Sequence, residues 1–88
     1  MQITVQKPDA KFLNNIEIFK KPIWEHHPAN FNWKYNEKES CYLIDGEAII
    51  ITPFESLTIS KGDFVIFPKG LKCTWKILKT IRKHYYFN

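Results

Sequence analysis

Short apolar runs separated by turn residues fill most of the chain, and side-chain alternation with a period of two is its clearest pattern. In "SCYLIDGEAIIIT", residues 40–52, two apolar runs flank Asp45-Gly46. That pair suits the positive backbone angles of a tight turn, so a β-hairpin is predicted there. Residues 56–78, "SLTISKGDFVIFPKGLKCTWKIL", predict a strand, a turn at Lys61-Gly62-Asp63, an all-apolar strand "FVIF", a turn at Pro68-Lys69-Gly70 and a further strand "KCTWKIL". A final strand is expected at "RKHYYF", residues 82–87. Nearer the N-terminus, "NIEIF", "IWEHH" and "NFNWKY" read as brief strands broken by Pro22, Pro28 and Asn30. Only "PDAKFLNNI" has room for a helical turn, starting at Pro8 or Asp9. Roughly eight short strands without intervening helices predict an antiparallel sandwich or barrel.

Strand parity links distant residues, because successive side chains point to opposite faces. Trp33 and Tyr35 share one face of their strand; so do Glu39, Cys41 and Leu43, and so do Cys73, Trp75 and Ile77, with Lys72 and Lys76 on the reverse side. If these three sets line one interior, it contains aromatics, two thiols and a carboxylate. A buried carboxylate is costly unless something pairs with it.

Eighty-eight residues allow one domain, and 44% apolar with 16% aromatic residues supply its core without disulfides. Residues 1–21 form a short N-terminal strand and turn, and 22–87 the barrel. The charge of +4 comes from dispersed lysines. Even the densest cluster, "KTIRKHYYF", resembles solvated strand-edge charge more than a nucleic-acid arm. No segment approaches the roughly 20 apolar residues that cross a bilayer, and no signal peptide is expected in "MQITVQKPDAKF", which has no apolar run. A cytoplasmic location is expected, with Cys41 and Cys73 as free thiols.

The motif spacing carries a resemblance. Glu39 is followed by six residues and Gly46, and Gly62 by five residues, Pro68, one residue, Gly70, two residues and Cys73. This is similar to the paired motifs of the cupin superfamily, and over residues 22–87 it most resembles the small cupins related to ureidoglycine aminohydrolase. The resemblance implies an all-β fold, a single antiparallel cupin jelly-roll barrel. In metal-binding cupins the first motif supplies two His and a Glu, and the second supplies another His. Those His positions hold Trp33, Tyr35 and Cys73 here, and Glu39 alone matches. Trp is no ligand and neutral Tyr a poor one, so the usual divalent metal site is not expected. If any metal binds, Glu39 and Cys73 are its candidates. The two-barrel aminohydrolase with its manganese site is longer than this chain, and its reaction is not assigned.

A ligand pocket is therefore expected from Trp33, Tyr35, Glu39, Cys41, Cys73 and Trp75, holding a flat or amide-containing small molecule. The alternative is a small enzyme of amide or nitrogen-compound chemistry. It would use Glu39 as acid or base and Cys73 as nucleophile, with His84 as a partner whose orientation depends on strand register. Each residue also has a plainer role: Glu39 as a hydrogen-bonded carboxylate, the thiols as small core groups, the aromatics as packing. Arg82 and Lys83 are candidates for binding a ligand carboxylate or for surface charge. His26 and His27 are expected at the surface. Apolar residues on both faces of "CYLI", "FVIF" and "AIIIT" suggest a second subunit over one face and hence a homodimer.

Overall fold

The computed structural model describes residues 1–88. Its elements are β1 (Thr4–Gln6), α1 (Ala10–Asn15), a 3-10 turn (Ile18–Lys20), β2 (Ile23–His26), β3 (Asn30–Lys34), β4 (Glu39–Ile51), β5 (Ser56–Ser60), β6 (Phe64–Phe67) and β7 (Lys72–Phe87). All strand pairs are antiparallel. The all-β barrel expected from the sequence is what forms.

Two long strands organise it. The first half of β4 and the second half of β7 pair with each other and are flanked by β6, β1 and β2; the remaining halves also pair and are flanked by β5 and β3. One β4–β7 ribbon thus passes through both layers, and its inward side chains, Cys41, Leu43, Ile50, Trp75 and Ile81 among them, form a shared core with Phe67 of β6.

The hairpin predicted at Asp45-Gly46 does not form. β4 runs straight through that pair, and the register against β7 shifts between Leu43 and Ala48. Gly46 has φ +101°, and a Cβ on it would overlap the Thr80 carbonyl and Ile81 Cα. The positive φ that suits a tight turn also suits a bulge, which here bends the ribbon from one layer into the other. The same bulge moves the inward positions of β4 from odd numbers (Cys41, Leu43) to even ones (Ala48, Ile50).

"KCTWKIL" and "RKHYYF", expected as separate strands, are continuous in β7. "NIEIF" is a turn instead of a strand: Asp9 caps α1 by accepting from Phe12 N at 2.8 Å, and Glu17 at φ 55° ends the helical stretch. Ile18 is then fully buried against Leu13 and Phe64, with Phe12, Tyr42 and Ile66 around them. The outer side of "CYLI" and "FVIF", two of the three runs on which the homodimer expectation rests, packs against the chain's own N-terminal segment, whereas "AIIIT" takes no part in that cluster. No helix is long and apolar enough to cross a membrane.

Candidate functional site

The β7 residues Cys73, Trp75, Ile77, Ile81 and Lys83 are all buried on the barrel side, whereas Lys72, Lys76 and Arg82 are exposed. Parity therefore delivers a lysine to the interior. Opposite it, Glu39 opens β4 and is also buried. Lys83 Nζ donates to Glu39 Oε2 at 2.5 Å, with both side chains at 7% exposure or less. Lys83 is the single buried lysine of the chain. Its ammonium lies 4.9 Å from the Trp75 ring centroid, 5.0 Å from Trp24 and 5.8 Å from Phe67, a cage whose ring faces favour a cation.

The pair forms the floor of a cavity of about 240 Å³. Trp24, Phe31, Trp33, Tyr35, Trp75, Tyr85 and Phe87 make its walls. Phe31 stacks on Trp75 at 6.2 Å, and Trp24 meets Trp75 edge-on at 5.9 Å. Trp33 and Phe87, each about half exposed, form part of the rim. All three tryptophans of the chain face this one space.

Tyr35 stacks on Phe67 at 4.7 Å, and its hydroxyl accepts from Trp75 Nε1 at 3.2 Å. Burial, reinforced by the nearby Glu39 and Cys73, raises the phenol far above its ordinary pKa, so it stays protonated. The thiols behave likewise. Burial pushes Cys41 from 9.0 to about 12, with the Lys83 charge pulling down and Glu39 pushing up. Cys73 rises to about 11, again chiefly by burial. Neither thiol is poised as a thiolate nucleophile at neutral pH.

Four of the six expected pocket residues, Trp33, Tyr35, Glu39 and Trp75, line the cavity. Cys41 and Cys73 do not line it; they are free thiols packed in the core, near enough for the ion pair to act on them. His84 is separated from Glu39 and Cys73. Being next to Lys83 on β7, it points to the opposite face, where Nδ1 lies 2.8 Å from Lys21 O and the ring meets Phe19. It cannot serve as their base. Arg82 also points outward, 3.0 Å from Glu25. Sequence reasoning missed Lys83 as the partner of Glu39, together with four walls: Trp24, Phe31, Tyr85 and Phe87.

The residues do not fit the divalent metal of metal-binding cupins. No group of three or more His, Cys, Asp or Glu is close enough to hold an ion. Glu39, the one retained ligand position, is engaged by Lys83, which supplies the positive charge itself.

The two-layer antiparallel barrel is that of a small cupin. Residues 13–85 match the EutQ-like cupin domain, and the chain belongs to that family. A DUF861 family protein from Thermotoga maritima is 39% identical with a TM-score of 0.97, over 99% of this chain and all of that one. The EutQ protein of Clostridium difficile is 29% identical, TM-score 0.67, over 74% of this chain and 52% of its own. A putative ethanolamine utilization protein Q from Salmonella typhimurium, 23% identical with the same TM-score, shares the fold over 74% of this chain and 53% of its own. The chain thus aligns with about half the length of those two proteins. No curated protein matches it.

Proposed function

We propose that the barrel cavity binds a small, mostly apolar, flat molecule through a polar group that reaches the Lys83–Glu39 floor, without a divalent metal. The observation that carries this reading is a buried ion pair at the base of an aromatic-walled cavity. Core packing alone gains little from such a pair, since well-packed apolar residues in its place are often as stable or more so. At about 240 Å³ the space is smaller than the roughly 300–1,000 Å³ of drug-sized sites, which selects small ligands. Nearer kinship with the ureidoglycine aminohydrolase-like cupins is part of the proposal, supported by the Glu39–Gly46 and Gly62–Cys73 spacings. Its reaction is not, because Trp33, Tyr35 and Cys73 stand at the metal-ligand positions.

The test is a thermal-shift screen of small aromatic compounds bearing one polar group, with each hit titrated against tryptophan fluorescence. Expected hits raise the melting temperature and change the fluorescence in parallel, and their effect is lost in Trp33→Ala. Hits that stabilise the protein without touching the fluorescence would place binding elsewhere and overturn the reading.

A further inference from the structure

Lys83 alone among the lysines combines three features: it is buried, it has a carboxylate 2.5 Å from its nitrogen, and it borders the aromatic-lined cavity; Lys7 also meets a carboxylate, Asp63 at 2.6 Å, but is exposed. A lysine amine becomes a nucleophile toward carbonyl compounds when it is desolvated and a neighbouring group can take and return a proton. Glu39 is that group. We propose that Lys83 forms a reversible imine with a small aldehyde or ketone held in the cavity. This rests on the binding reading above and adds a covalent step to it.

The protons balance within the pair. An ammonium proton passes from Lys83 Nζ to Glu39 Oε2, and the free amine attacks the carbonyl carbon, forming an N–C bond as the C=O π bond opens to oxygen. Moving one nitrogen proton to that oxygen through Glu39 gives a neutral carbinolamine. The Glu39 proton then leaves with the hydroxyl as water, and the nitrogen lone pair closes the C=N bond. One ammonium and one carbonyl become one iminium and one water, with Glu39 again a carboxylate. The iminium carries its positive charge where the ammonium was, inside the ring faces of Trp24, Trp75 and Phe67 and beside Glu39. The cage that holds the resting cation thus also favours the product cation.

The other candidates carry less. The open groove lined by Trp33, Lys34, Thr52, Lys72, Cys73 and Thr74 has solvated lysines and a thiol that burial keeps protonated, and the His84–Phe19 contact closes the N-terminal segment onto the sheet.

The experiment is reductive trapping of the native protein with benzaldehyde and cyanoborohydride at neutral pH, read by intact mass and peptide mapping. The expected result is one benzyl group on Lys83, gained at least about tenfold faster than on any exposed lysine, a rate ratio worth about 1.4 kcal/mol of barrier. Benzyl alcohol, which fits the cavity but forms no imine, should slow labelling of Lys83 and leave the exposed lysines unchanged. Glu39→Gln should abolish the preference. Because that substitution also weakens folding, the benzyl alcohol arm on the unaltered protein stands as the independent check. Labelling of exposed lysines with Lys83 unmodified overturns the imine. If benzyl alcohol still changes the tryptophan fluorescence in that case, the binding reading survives alone; if it does not, both fail.

Discussion

Glu39 at the start of β4 and Lys83 near the end of β7 meet at 2.5 Å inside the barrel, 44 residues apart in the chain. In register, Glu39 pairs with Phe87 and Leu43 with Lys83. The contact therefore runs diagonally across the ribbon on its inner face, and it exists only when β4 and β7 are correctly aligned. Removing one partner leaves a buried charge alone. Lys83→Met and Glu39→Gln should each cost about 3–5 kcal/mol in urea unfolding. The double variant should cost less than the sum of the two single losses, by a coupling of about 2 kcal/mol; strictly additive losses would mean that the two groups do not act as a pair.

Trp33 separates ligand binding from stability. Its side chain stands half exposed at the cavity rim, so Trp33→Ala should change the unfolding free energy by less than about 1 kcal/mol. Ligand affinity should fall about tenfold or more, the loss expected of an aromatic anchor. Isothermal titration with a screening hit checks it.

Tyr35→Phe removes the only acceptor of Trp75 Nε1 while keeping the ring on Phe67. An orphaned buried N–H costs about 1–3 kcal/mol. Denaturant unfolding should show a loss in that range with the m-value unchanged.

Alkaline pH should unfold the protein through its thiols. Cys41 and Cys73 titrate at about 12 and about 11 when folded, against an ordinary 9.0. The folded state therefore holds their protons more tightly. Their contribution is fully present below pH 9 and is lost as pH rises from 9 to about 11 for Cys73 and to about 12 for Cys41, at about 1.4 kcal/mol per pH unit for each thiol. Urea unfolding at pH 8 and 10.5 measures the slope, and Cys41→Ala with Cys73→Ala should flatten it.

Gly46→Ala tests the bulge. The added methyl would meet the Thr80 and Ile81 backbone at a positive φ, so a loss of about 2–4 kcal/mol is expected. A stable Gly46→Ala protein would show that the ribbon does not need this bend.

Much of this architecture was legible in the sequence, and the gaps have physical causes. Parity placed Glu39, Cys41 and Leu43 on one inner face and Cys73, Trp75 and Ile77 on another, as observed. Dividing β7 into two strands stopped that count at Ile77; carried on through odd numbers, past the exposed Lys79 where the ribbon bends, it reaches Ile81 and Lys83. Asp45-Gly46 misled because a bulge and a hairpin turn ask the same dihedral of glycine, and only the partner strand distinguishes them. Trp24, Phe31 and Tyr85 were hidden for another reason. They belong to three different strands, and only barrel closure brings their rings together.

The most direct measurement of the central claim is a ¹H–¹⁵N NMR titration of the indole N–H signals with benzyl alcohol and the best screening hits. All three indoles wall the one cavity, and Trp24 and Trp75 touch no other pocket. Binding at the Lys83–Glu39 floor predicts that the Trp24 and Trp75 signals move together along one saturable curve. Ligand-dependent shifts elsewhere, with these two signals fixed, would contradict it.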